Sequence, residues 1–262
     1  MNIIETHTHL YLPEFDADRD AVMKRAMQQG ISKFYLPNID SSCMQWMLDL
    51  EAQYPDVCHA MMGLHPCSVK PETFEAELSI VEQQLKSRKW CAIGEIGIDL
   101  YWDKTTLAIQ QLAFKKQVHW AIEYNIPIVI HCREAFDEIY ELLTLPEFKT
   151  WIESNAVKGI FHCFSGNTEQ ANQIIGLGFK LGIGGVVTYK NSGLDKIIEA
   201  IDLEYLVLET DSPYLTPVPH RGKRNETSYI THVLYKIAEI KQCMPSQVAE
   251  VTTANAQYIF GL

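Results

Sequence analysis

Eight short runs rich in β-branched and aromatic residues alternate with amphipathic segments, and this alternation constrains the fold more than any motif does. The runs lie at Ile3–Thr8, Lys33–Pro37, Val57–Gly63, Cys91–Ile96, Pro127–His131, Gly159–His162, Phe179–Ile183 and Tyr205–Glu209. Helical spacing of apolar residues marks Ala17–Gln29, Ser42–Gln53, Phe74–Ser87, Thr106–Tyr124, Ala135–Leu143, Thr168–Leu177, Leu194–Ala200, Ser228–Ile240 and Pro245–Phe260. Strands that alternate with helices pair in parallel through right-handed crossovers, and eight such units are the number that closes a (β/α)8 TIM barrel, an α/β fold. An open doubly wound sheet is the competing architecture. The 262 residues contain no Gly/Ser/Pro linker, charge run or low-complexity tract, so residues 1–262 read as a single domain.

Composition removes several classes of function. No stretch approaches the ~20 apolar residues that span a bilayer. The opening apolar run breaks at Glu5 and the first basic residue is Arg19, unlike a secretory leader. Seven scattered cysteines, odd in number and without zinc-finger or disulfide-framework spacing, suit a reduced, cytoplasmic chain. A net charge of −11 argues against tight non-specific adhesion to duplex DNA, though a metal cluster and a few arginines can still handle phosphate locally. Nothing calls for an obligate protein partner.

His7 and His9 end the first run, and residues i and i+2 of a strand face the same side, so the two imidazoles can converge on one divalent ion. Four more candidate ligands, Glu95, His131, His162 and Asp211, each end or follow a later run. In a TIM barrel the carboxyl ends of the strands meet at one rim, where catalytic groups collect. Six ligands exceed the needs of one tetrahedral ion with an open position, but they suit two ions about 3.5–4 Å apart that share a carboxylate. Glu95 is the expected bridge, with His7, His9 and Asp211 completing one site and His131 and His162 the other. Asp211 is also the group expected to orient the attacking water and take its proton; as a plain turn, Thr210-Asp211-Ser212-Pro213 would instead make it an N-cap. Such nitrogen and oxygen donors accept zinc, magnesium, manganese or nickel. Cys132 and Cys163 follow two of these histidines and, by alternation, point away as packing residues.

Seven segments together carry a specific likeness: Glu5-Thr6-His7-Thr8-His9, Gly63-Leu64-His65-Pro66, Gly94-Glu95-Ile96-Gly97-Ile98-Asp99, Ile130-His131-Cys132-Arg133, Phe161-His162-Cys163-Phe164-Ser165-Gly166, Glu209-Thr210-Asp211-Ser212-Pro213 and Arg221-Gly222-Lys223-Arg224-Asn225-Glu226. In that order, over nearly the whole chain, they resemble the TatD family of metal-dependent deoxyribonucleases. The resemblance implies a TIM barrel with a divalent-metal phosphodiesterase site, ligated at His7, His9, Glu95, His131, His162 and Asp211. Two positions depart from the family's pattern. Glu5 stands where an Asp usually precedes the histidine pair, and Thr227 where the basic loop usually continues with proline. In the wider amidohydrolase class the bridge is often a carboxylated lysine at the end of strand four. Glu95 holds that place here, which favours the nuclease-like branch.

Substrate contacts are expected from His65, Arg133, Arg221 and Arg224. A guanidinium at Arg133 would lean toward the rim and grip phosphate bidentately. His65 could donate to the phosphate or the leaving oxygen. The stretch His220-Arg221-Gly222-Lys223-Arg224 is the densest basic segment and a plausible grip on a nucleic-acid backbone. Tyr101 and Trp102 could stack on an unpaired base or pack in the core. The expected activity is hydrolysis of phosphodiester bonds in DNA, at ends or in single strands, by a two-metal-activated water, with Asp211 and Glu95 as the catalytic pair. Hydrolysis of a small ester, amide or lactone is the alternative, and a non-catalytic metal-binding role is the third.

Overall fold

A computed structural model of the chain describes residues 1–154 and 156–261. Its strands are β1 (Ile3–Glu5), β2 (Ile31–Leu36), β3 (Cys58–Ala60), β4 (Ile93–Asp99), β5 (Ile128–Arg133), β6 (Gly159–Phe161), β7 (Lys180–Ile183) and β8 (Leu206–Leu208). The helices are α1 (Arg19–Gln28), α2 (Ser41–Gln53), α3 (Phe74–Ser87), α4 (Leu107–Tyr124), α5 (Phe136–Leu143), α6 (Pro146–Glu153), α7 (Thr168–Gly176), α8 (Leu194–Ala200), α9 (Ile230–Lys241) and α10 (Pro245–Phe260). Every strand pair is parallel, in the orders β1-β2-β3 and β4-β5-β6-β7-β8. Two seams close the ring. Met62 bridges Ile93 and accepts the Gly94 N–H, and Thr6 donates its N–H and its hydroxyl to the Leu208 carbonyl. This is the (β/α)8 barrel expected from the alternation.

Alternation along the strands sorts the side chains into two clusters. Ile3, Phe34, Ile128, Ile130, Leu181 and Leu206 pack outward with the helices. Ile4, Tyr35, Met61, Ala92, Val129, Ile160 and Val207 form a separate inner cluster, joined by Ala256 and Ile259 of α10, with Phe260 stacked on Tyr35 at 3.6 Å. Because the strand period is two, the parity that turns Val129, Ile160 and Val207 inward also turns His131, His162 and Glu209 inward, one level higher. The apolar floor thus dictates which side chains form the polar mouth.

Some boundaries differ from the sequence reading, for local reasons. The first strand stops at Glu5, because Thr6, Thr8 and His9 give their amides to Leu208, Tyr35 and Ser212 instead of to one ladder. The fourth strand runs on to Asp99, which places Glu95 within it rather than at its end. Opposite β5 the register slips between Ile93 and Ile96, a bulge of the kind that re-aims a side chain, and Glu95 lies inside it. Helix α6 was unexpected; it is short, starts on Pro146 and buries only Phe148 and Trp151. Among the described residues no helix is long and apolar enough to cross a membrane, and the seven cysteines are free.

Close strand approach makes Gly97 indispensable, as it does Gly159. At Gly97 φ is +151°, and a Cβ there would collide with the backbone of His131 across the ladder. Gly97→Ala is expected to cost about 3 kcal/mol or more, combining backbone strain and overpacking. A lowered urea midpoint would register that cost, and an unchanged one would contradict this β4/β5 packing.

Candidate metal centre

Glu95 is the hub of the mouth, only 2 % exposed, and its two carboxylate oxygens face different partners. Oε2 lies 3.1 Å from His7 Nε2 and 3.6 Å from His9 Nε2. Those same nitrogens lie 3.7 and 3.5 Å from Asp211 Oδ1. Oε1 lies 2.8 Å from His131 Nδ1, 2.9 Å from His162 Nε2 and 3.3 Å from His65 Nε2. The six residues expected as ligands therefore converge, and they divide into His7, His9 and Asp211 on one side of Glu95 and His131 and His162 on the other. The rings of His7 and His162 stack at 3.8 Å across the divide.

Hydrogen-bond polarity indicates which nitrogens can take a cation. Tyr11 donates its hydroxyl to the Pro37 carbonyl at 2.6 Å, so at 2.8 Å from His9 Nδ1 it must accept. His9 therefore keeps hydrogen on Nδ1 and offers Nε2. Asp99 Oδ2 lies 2.9 Å from His131 Nε2, which fixes that hydrogen outward and leaves Nδ1 facing Glu95. His65 is the reverse. Its Nδ1 accepts the Cys67 N–H at 3.0 Å, so in the neutral ring Nε2 carries the hydrogen and donates toward Glu95. His65 is thus suited to donate to a ligand rather than to hold a metal.

The electrostatics favour a cation. Burial alone would push the Glu95 carboxyl up, but His162, His65, His7 and the hydrogen bond with His131 hold it well below the usual range. Asp211 is likewise lowered against its burial by His9, His162 and His7. The imidazoles answer in kind: His9 rises from 6.5 to about 9, against its burial, through Asp211 and Glu95. His131 and His162 also rise against burial, through Asp99 and Glu95 and through Glu95 and Glu209 respectively. Burial keeps His7 and His65 lowered. Protons here balance buried carboxylate charge, a task that divalent ions perform at such nitrogen and oxygen donors. His7, His9 and Asp211 could hold one ion, and His131 and His162, which meet at Glu95 Oε1, another; His65 also lies in reach of Glu95 and His131, and Glu209 in reach of His7 and His162, and no thiol joins these groups.

Of the supporting residues, Tyr11, Asp99 and Glu209 were not singled out in the sequence. Tyr11 and Asp99 orient ligands from behind. Glu209, fully buried, accepts the Cys163 N–H and lies 3.6 Å from His162 Nδ1. Gly182 leaves room for the Glu209 carboxylate, which a Cβ would overlap. Glu5 acts through the backbone: its Oε1 accepts the N–H of His7 at 3.2 Å and of Thr210 at 2.9 Å. Among the expected substrate contacts, Arg133 lies 3.7 Å over the Tyr101 ring and Arg221 3.8 Å over Tyr189. Arg224 is engaged elsewhere, paired with Asp18 at 2.7 and 2.8 Å. With the Arg25–Glu226 pair and the buried Asn225 amide, it pins the basic loop, which therefore needs no proline at Thr227.

Comparison with known proteins places the chain among metal-dependent hydrolases of one family. The profile described as TatD related DNase matches residues 4–261. A Bacillus subtilis protein described as an uncharacterized metal-dependent hydrolase, YabD, is 35% identical over 259 residues, 98% of each chain. The 3'-5' ssDNA/RNA exonuclease TatD of Salmonella typhimurium is 33% identical over 257 residues, 94% of each. The crystal structure of YjjV, a TatD homologue of Escherichia coli, superposes with a TM-score of 0.90 at 29% identity, covering 99% of this chain and 98% of that one.

Two outcomes follow from the proton balance and the tautomers. Since His9 titrates near 6.5 when unfolded and about 9 when folded, its contribution to the stability of the metal-free protein is complete below pH 6.5 and is lost toward pH 9. The lowered histidines act in the opposite sense, and only below pH 6.5. Metal-stripped protein should therefore lose thermal stability across that alkaline window and regain it with zinc or manganese, releasing protons to the buffer; a flat profile would contradict the balance. Tyr11→Phe should keep the fold but weaken metal binding about 10- to 100-fold in chelator competition, whereas wild-type affinity would remove Tyr11 from the orientation of His9.

Proposed function

From the premise that this chain belongs to the TatD family and is a divalent-metal-dependent hydrolase, we propose that it hydrolyses phosphodiester bonds in single-stranded or end-frayed nucleic acid. The observation that carries this reading is the division of Glu95, whose two oxygens each face a separate ligand group. Divalent ions bound there would supply Lewis acidity to a phosphoryl oxygen and lower the pKa of a water. The named activity of the Salmonella relative, cleavage of single-stranded DNA or RNA, supports the choice of substrate.

The protein's own groups divide the remaining work. Asp211, held ionised by its imidazole neighbours, orients the attacking water and takes its proton. His65 presents Nε2–H to the phosphate or to the departing oxygen, because the Cys67 amide occupies its other nitrogen. Arg133 and Arg221 lie on aromatic rings, with no carboxylate partner among the described residues, and so can meet phosphate charge. Arg224 fixes the loop that carries Arg221. A barrel mouth with these features receives a flexible strand more readily than a rigid duplex.

Stripped protein resupplied with single divalent ions should release mononucleotides from single-stranded DNA. Asp211→Asn should keep the fold and cut turnover about 10²- to 10⁴-fold. Near-normal turnover in that variant would remove Asp211 from proton transfer. Turnover of small esters, amides or lactones by metal-loaded protein that leaves oligonucleotides intact would move the substrate to the carbonyl class.

A further inference from the structure

The loop after β4 carries Trp102 at 72 % exposure next to Tyr101 at 50 %, large rings that gain little from the core. The loop is nonetheless held in place. Asp99 Oδ1 accepts the N–H of Tyr101 at 3.0 Å and of Trp102 at 3.3 Å, while its Oδ2 binds His131 at 2.9 Å. One carboxylate therefore ties these aromatics to a candidate metal ligand. Arg133, two residues past His131, lays its guanidinium 3.7 Å from the Tyr101 ring and 5.6 Å from Trp102. The two rings meet edge to face, at 4.9 Å and 88°, and most of the Trp102 ring stays open to solvent. A cavity of about 500 Å³ is lined by Arg133, Phe161, His162 and Phe164, so the residue that rests on Tyr101 shares a hollow with a candidate metal ligand.

We propose that Trp102, Tyr101 and Arg133 form a nucleobase subsite beside the metal centre, an inference that rests on the nuclease reading. Trp102 offers a flat exposed face to an unpaired base, Tyr101 seats Arg133, and the guanidinium meets the phosphate of the same nucleotide. An exposed ring and a cation without a carboxylate partner match the two halves of a nucleotide, a flat base and an anionic linkage. Asp99 sets the distance between this subsite and the reacting phosphate.

The test uses full-length protein and short single-stranded oligonucleotides, some with an abasic terminal nucleotide. In metal-stripped protein, fluorescence anisotropy should show Trp102→Ala weakening binding about 5- to 100-fold, with Trp102→Phe retaining most of the affinity. With metal restored, wild-type protein should favour the base-bearing end over the abasic one, and Trp102→Ala should cut both alike. Wild-type binding and an intact base preference in Trp102→Ala would overturn the subsite while leaving the nuclease reading in place. If wild-type protein neither bound nor cut any oligonucleotide, the nuclease reading would fall and the subsite with it.

Discussion

A carboxylate buried at the mouth of a barrel is expensive, and the surroundings of Glu95 compensate that cost. Removing an ion from water costs several kcal/mol even after relaxation, and only close opposite charge or a cation offsets it. Five imidazoles surround this carboxylate, and Asp211 adds a second negative group within reach of two of them. An arrangement that concentrates buried charge is a poor way to stabilise a fold. It is well suited to hold divalent ions, which explains why six strands and loops deliver polar groups to a place where apolar ones would pack better.

The rest of the molecule keeps that cluster in register. The inner floor of Val129, Ile160 and Val207 sets the strand parity that aims His131, His162 and Glu209. The bulge in β4 turns Glu95 toward both ligand groups. Behind the ligands, Tyr11 and Asp99 assign a hydrogen to one nitrogen of His9 and His131 and leave the other available. Such oriented partners fix the tautomer and ring orientation of a metal ligand and so tune its affinity. Farther out, pairs at Arg224–Asp18 and Arg25–Glu226 hold the basic loop close to α1 without help from proline.

Much of this was legible in the sequence because it depends on period and order. Alternating runs specified the barrel, and each expected ligand lay at or just past the end of a run, although β4 and β5 continue beyond Glu95 and His131. The ranges of α3, α8 and α10 agree with the periodicity, since those helices carry clear apolar stripes or clear starts. What escaped depends on contacts between distant segments. Tyr11 looks like any core aromatic until the Pro37 carbonyl fixes its hydroxyl. Asp99 and Glu209 stand in segments that carry ligands, but their roles depend on His131 and His162 from other strands. Likewise, no local pattern shows that Asp18 would occupy Arg224, or that the Cys67 amide would make His65 a donor.

The central claim is that the Glu95 carboxylate would hold one ion on each side, and anomalous diffraction from crystals of the manganese- or zinc-loaded protein tests it most directly. Two peaks about 3.5–4 Å apart, one on Oε2 with His7 and His9 and one on Oε1 with His131 and His162, are the expected result. A single peak, or two peaks of which one or both lie away from the Glu95 carboxylate, would contradict it.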